Sequence, residues 1–200
     1  MADDLLATER DAILSNGRPA AIASAQLGDL EAVRAFYERL DDMSNYFRFF
    51  GIRRRLPDRE LLNAVDPAVS DHVTLLAKVD GQLAGIGELI VGPTALEAEV
   101  AFAVADDHHR EGIATLLLER LVAIARRRGI TTLTAVTLPG NADMLLVFRT
   151  VGLCERASLG DEGVVHISFD LTAPDELAEE SARRQALALG HVWATAPEAP

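Results

Sequence analysis

The sequence is poor in several things, and each scarcity excludes something. It has one cysteine, Cys154, so no disulfide can form within the chain. The bland role for that thiol is burial beside Leu153. Basic residues number 19 against 31 acidic ones, and the formal net charge is -12. A nucleic-acid binder normally shows a basic face, so nucleic acid is not the expected partner. No apolar run reaches the roughly 18 residues that a membrane span requires. The N-terminus, MADDLLATERD, lacks the basic start and apolar centre of a signal peptide. These features predict a cytoplasmic chain with no membrane partner. Internal repeats are absent as well.

What remains is an ordinary globular composition, 49% hydrophobic and 25% charged over 200 residues. That length suits one domain with a substantial core. Residues 1–19 read as a loose arm, and Ala20 to Ala25 as a weak strand. Asp29 can cap a helix to Leu40, with Leu30, Val33, Phe36 and Tyr37 on one face. Ser44 can cap a short helix that ends at Gly51, and Asp58 starts another. From His72 the period changes to two. HVTLLAKV, an Asp80-Gly81 turn and QLAGIGELIV form a hairpin, and Glu97 to Val104 is the next strand. A helix over 113–128 is closed by Gly129, and TTLTAVTL follows as a strand. Asn141 caps a helix to about Val151, and Leu153 to Ala157 and Val164 to Leu171 are the last strands. Residues 173–200 shift in composition toward an Ala-rich helix and a disordered tail. The order predicts an α+β fold, a mixed sheet with helices on both faces, over 20–172.

The most informative stretch is EAEVAFAVADDHHREGIATLLLE, Glu97 to Glu119. It places a strand, a polar loop and a helix N-terminus in succession. The first N–H groups of a helix have no helical partners, and the macrodipole adds positive charge there. A glycine-containing entry loop such as that at Gly112 therefore makes an anion site. Glu99 stands on the strand beside it, so a phosphate-binding loop neighbours a candidate general base.

The element order over about 20–171 resembles the GNAT N-acetyltransferase superfamily. Its pyrophosphate-binding loop has the pattern Gln/Arg-x-x-Gly-x-Gly/Ala. Here the corresponding run is His109, Arg110, Glu111, Gly112, Ile113 and Ala114, so the second half fits and the first departs. The resemblance implies that this run, with Thr115, holds the pyrophosphate of acetyl-CoA. It further implies a backbone donor to the thioester carbonyl near Phe102, Ala103 and Val104. Asn141, Met144 and Phe148, followed by Val151-Gly152-Leu153, resemble a family helix that borders the same ligand. Many members carry a tyrosine there to protonate the leaving thiolate. This chain has tyrosine only at Tyr37 and Tyr46.

SNYFRFF at 44–50, Asp66 and DHVTLLA at 71–77 resemble the GNAT domains of bacterial protein lysine acetyltransferases. Such domains often occur fused to synthetase-like or cyclic-nucleotide-binding domains, and residues 173–200 can be read as a linker. In that subfamily the strand glutamate in AEVAFAV is the catalytic base, which points to Glu99, with partial burial expected to tune it. Acyl-CoA synthetases, modified on an active-site lysine, are among the family's targets. The expected activity is direct acetyl transfer from acetyl-CoA to a protein lysine. The rivals are a small-molecule amine acetyltransferase and a catalytically weak acyl-CoA-binding module.

Other residues take structural readings. His108-His109 is not a metal-ligand spacing, and no metal is expected. Arg126 to Arg128 suit a helix C-terminus. Arg53 to Arg55 read as a solvated loop, Glu97 and Glu88 as solvated edge residues. Glu111 would repel a pyrophosphate unless turned outward, with Arg110 beside it as an electrostatic offset.

Overall fold

The computed structural model describes residues 10–150, 154–160, 163–172 and Arg183. The Val151-Gly152-Leu153 run, residues 1–9 of the expected arm and the Ala-rich C-terminal segment apart from Arg183 lie outside the described residues. The side chain of Cys154 does too.

Among the described residues, eight strands and five α-helices form the fold, with two short 3-10 turns between them. They are β1 (Arg10–Ile13), β2 (Pro19–Ser24), α1 (Leu30–Arg39), α2 (Asp42–Phe49), α3 (Asp58–Val65), β3 (His72–Val79) and β4 (Gln82–Val91). There follow β5 (Glu97–Val104), α4 (Ile113–Arg127), β6 (Thr132–Thr137), α5 (Ala142–Thr150), β7 (Cys154–Leu159) and β8 (Val165–Asp170). The strands make one eight-stranded sheet in the order β1-β2-β3-β4-β5-β6-β8-β7. Every adjacent pair is antiparallel except β5 with β6. This is the expected α+β architecture. The expected arm is corrected in its second half, because Arg10–Ile13 pairs with β2 as an edge strand.

Each sheet face has its own apolar cluster. One gathers Leu89, Val100, Phe102, Leu133 and the leucines of α4. The other joins Leu76, Ile86 and Ala103 to Val33 and Phe36 of α1 and Leu61 of α3. In α4, Leu117, Leu118 and Leu121 are fully buried. Each such side chain contributes about 1.5–3 kcal/mol by leaving water. The helix can settle that deeply because β4 carries Gly85 beneath it. A Cβ there would stand 2.6 Å from the Ile113 side chain.

Two helix caps differ from the sequence reading. Asp41, not Ser44, is the N-cap of α2, and its side chain accepts from the Ser44 amide at 2.7 Å. The Ser44 hydroxyl instead donates to Asp106 at 2.5 Å, fixing α2 to the loop after β5. Asp29 makes no side-chain cap for α1, since a short 3-10 turn, Leu27–Asp29, precedes the helix. Asn141 does cap α5, accepting from the Met144 amide at 3.2 Å. No described helix is long and apolar enough to cross a membrane.

Candidate active site

The fold positions its site by letting two strands part. β5 and β6 pair through Glu97 with Thr132, Ala98 with Leu133 and Glu99 with Thr134, and no further. Beyond that point β5 stays bonded to β4 as far as Val104, and β6 stays bonded to β8 as far as Thr137. The two strands thus diverge with unpaired edges facing each other. A cavity of about 960 Å³ fills the fork, walled by Val100 to Val104 on one side and by Val136 and Thr137 on the other. α2 and α5 complete it through Phe47, Arg48, Met144 and Phe148.

The loop after β5 leads into α4 at the mouth of this cavity, and residues 108–116 all border it. Gly112, the N-cap of α4, has φ of 91° and no side chain to cap the first turn. Its left-handed conformation costs glycine nothing and leaves the first N–H groups of α4 for a ligand. Arg110 is also left-handed, at φ 61°. His109 turns back to β5, its Nε2 lying 3.1 Å from the Val104 carbonyl oxygen. The Glu111 carboxylate is engaged away from the helix. Asn16 Nδ2 donates to it at 2.8 Å, and His108 Nδ1 lies 2.7 Å from its other oxygen. The offset expected from Arg110 comes instead from these two groups and from Arg18, at 3.6 Å.

Other expected residues take definite places. Phe102, Ala103 and Val104 lie along the unpaired edge of β5, and Ile113, Ala114 and Thr115 form the first turn of α4. Phe148 is buried between Phe102 and Phe169, with ring centroids 6.3 and 5.6 Å away, and forms the floor of the cavity. Met144 is partly buried at its wall.

Glu99 is exposed, so the partial burial expected of it is not found. It is the last β5 residue paired with β6, and it faces the α1 and α3 side of the sheet. Glu97 is exposed, as expected.

Glu88 is a correction. It is not a solvated edge residue but is 7% exposed, within a polar cluster that sequence reasoning missed. Tyr37 donates its hydroxyl to Glu88 at 3.2 Å, Arg48 forms a short ion pair with it, and His72 Nε2 lies 3.1 Å from its other oxygen. Burial alone would raise the Glu88 carboxyl. The Arg48 guanidinium and the His72 hydrogen bond outweigh it and hold the pKa at about 2. Burial, with the Glu88 charge beside it, pushes the Tyr37 phenol well above its ordinary value. Burial would lower the Arg48 guanidinium, but Glu88 more than reverses that. The alternation of β4 could have put Glu88 on the α1 face, but nothing in the sequence announced its three partners from separate elements. Arg53, Arg54 and Arg55 lie in the solvated loop between α2 and α3, as expected, and there pair with Glu60, Asp42 and Glu38 at the surface. Among the described residues no group of histidine, cysteine and carboxylate side chains could hold a metal ion.

Residues 37–153 match the model of the acetyltransferase (GNAT) family. The chain is similar to the GNAT domain of Streptomyces lividans PAT, at 35% identity and a TM-score of 0.74, covering 81% of this chain and 96% of that one. It is 28% identical over 135 residues to the acetyltransferase PA5475 of Pseudomonas aeruginosa, which is 66% of this chain and 73% of that protein. The yncA protein of Salmonella typhimurium, solved with its cofactor acetyl-CoA, shares the fold at 19% identity and a TM-score of 0.65. That match covers 78% of this chain and 98% of that one.

Proposed function

The chain belongs to the GNAT acetyltransferase family and is an acetyl-CoA-dependent N-acetyltransferase, and on that premise we propose a lysine side chain of a protein as its acceptor. An acyl-CoA synthetase is the first target to try. One observation carries the reading. The strands part directly after Glu99, so a carboxylate stands at the fork of a cleft whose mouth is an uncapped helix N-terminus. Pyrophosphate suits the N–H groups of Gly112 to Thr115, and the acyl arm suits the apolar walls between β5 and β6. The resemblance of residues 44–50, Asp66 and 71–77 to bacterial protein lysine acetyltransferases is what favours a protein lysine over a free amine.

A lysine amine has an unperturbed pKa of about 10.4, so at neutral pH it must lose a proton before attack. Glu99, directly or through one water, receives that proton. The amine nitrogen then bonds to the thioester carbon, the carbon–sulfur bond breaks, and the second proton that the nitrogen sheds in becoming an amide passes through water to the departing thiolate. An N–H on the unpaired edge of β5, near Phe102 to Val104, stabilises the negative carbonyl oxygen. No tyrosine lies on described α5, and a thiolate whose thiol has a pKa of about 8.5 leaves with little help, taking its proton from water.

The test is incubation with acetyl-CoA and acyl-CoA synthetases, read by mass spectrometry for acetyl-lysine, with free amines in parallel. Glu99→Gln should cut turnover at pH 7 by roughly 100-fold, with acetyl-CoA affinity little changed. The deficit should shrink as pH rises toward about 10.4, where the amine deprotonates unaided. Near-normal turnover of Glu99→Gln at pH 7 eliminates it as the base. Acetylation of free amines alone moves the acceptor to a small molecule, and binding without turnover on any amine leaves an acyl-CoA-binding module.

A further inference from the structure

The motif departs from its family at Glu111, an acid where a pyrophosphate would be repelled. Its carboxylate is instead gripped from the N-terminal hairpin, and the grip extends to the loop's backbone. The Ser15 amide donates to the Glu111 carbonyl at 3.0 Å, and the Ser15 hydroxyl reaches the Arg110 carbonyl at 3.4 Å. Asn16 holds the Glu111 side chain through Nδ2, and its Oδ1 accepts from the Arg18 amide at 3.0 Å. Arg18 bridges Glu111 to Asp80 in the β3–β4 turn, 2.7 Å away. The gripping turn is itself closed, by the Leu14 amide to the Arg18 carbonyl and the Gly17 amide to the Leu14 carbonyl, both at 2.9 Å. Leu14 is fully buried beneath it.

The geometry has a direct consequence. In a trans peptide the C=O and the next N–H point in opposite directions. No peptide bond described here is cis. Fixing the Arg110 and Glu111 carbonyls toward Ser15 therefore aims the N–H groups of Glu111 and Gly112 away from the hairpin. Two residues of this loop, Arg110 and Gly112, are left-handed, and a non-glycine in that region persists only when its surroundings hold it there.

We propose that the turn between β1 and β2 braces the pyrophosphate loop, and that Glu111 is a positioning residue that favours acyl-CoA binding through Asn16, His108 and Arg18. This rests on the reading of residues 109–115 as the pyrophosphate loop. The brace and simple repulsion predict opposite signs. If Glu111 acts by its charge on the ligand, removing it tightens binding. As a brace, Glu111→Ala releases Asn16 and His108 and weakens acetyl-CoA binding by roughly tenfold, the size of one lost charge-assisted hydrogen bond.

The experiment measures the acetyl-CoA dissociation constant by calorimetry, and kcat and KM with acetyl-CoA and with S-acetyl-pantetheine, which has no pyrophosphate. Glu111→Ala and Asn16→Ala should each raise the acetyl-CoA dissociation constant and KM with kcat unchanged. Their combination should be no worse than Glu111→Ala alone. Glu111→Gln, which still accepts from Asn16, should recover most of the affinity. Turnover of S-acetyl-pantetheine should fall far less than turnover of acetyl-CoA in each variant, a selectivity that a general loss of folding would not give. Unchanged or tighter acetyl-CoA binding by Glu111→Ala overturns the brace. Gly112→Asp is the separate control for the loop itself, adding bulk and negative charge where the phosphates lie. If Gly112→Asp cripples binding and Glu111→Ala does not weaken it, only the brace fails. If neither variant weakens it, the loop assignment fails with it.

Discussion

The two faces of one strand are built on opposite principles. Toward α4, β4 presents Gly85 and Leu89, and contact there is a matter of shape. Toward the other side the same strand presents Ile86 and then Glu88, and contact becomes electrostatic, with Arg48 of α2, His72 of β3 and Tyr37 of α1 converging on one carboxylate. The first face seats α4, where an apolar wall and close fit suffice. The second carries the short α2, whose apolar side is only partly used: Met43 and Tyr46 are exposed. A helix with so little burial needs another fastening. The ion pair with Glu88 supplies it from the sheet, and Asp106 supplies it at the N-terminus. Specific polar contacts substitute for area where area is short.

The largest expected effect tests the charged face. Glu88→Gln leaves Arg48 buried beside a neutral group and should destabilise the fold by about 3–5 kcal/mol in urea unfolding. A loss under about 1 kcal/mol, typical of an exposed pair, would erase the contrast between the faces. Acid sharpens the same point. Glu88 has its carboxyl held at about 2 in the folded chain. In the unfolded chain a glutamate titrates near about 4.3. Its stabilisation is therefore fully present above the unfolded value and drains as pH falls from about 4.3 toward 2. Unfolding free energies measured down that range should fall in the wild-type chain, and the Glu88→Gln chain should lack this component. The smaller effect belongs to the apolar face. Gly85→Ala places a methyl against Ile113 and should cost about 1–3 kcal/mol by overpacking, with no dependence on acid. A neutral Gly85→Ala would mean that α4 is not seated as closely as its contact with β4 implies.

Much of this was legible in the chain, for identifiable reasons. The alternation in HVTLLAKV and QLAGIGELIV and the turn at Asp80-Gly81 set the hairpin of β3 and β4. Gly112 and the leucines behind it set α4 and its uncapped start. Asn141 is a cap that local spacing reveals. Arg10–Ile13 was not legible as a strand. A short, partly acidic stretch has little strand signal, and it pairs because β2 offers an open edge. The cap of α2 is Asp41, which accepts from the Ser44 amide, while the Ser44 hydroxyl goes to Asp106, far along the chain.

The sequence by itself determined the order of elements, the glycine at the start of α4 and the place of Glu99 on its strand, because those follow from periods, caps and glycines acting over a few residues. Only the tertiary structure decided which way the charged side chains turn. Glu88 became a buried anchor, Glu99 an exposed group at the fork, and Glu111 the grip point of a distant hairpin. The physical reason is that a carboxylate's role is set by the cations and donors around it. Apart from His108, three positions from Glu111, those partners lie 16 to 95 positions away in sequence and meet only in the folded chain.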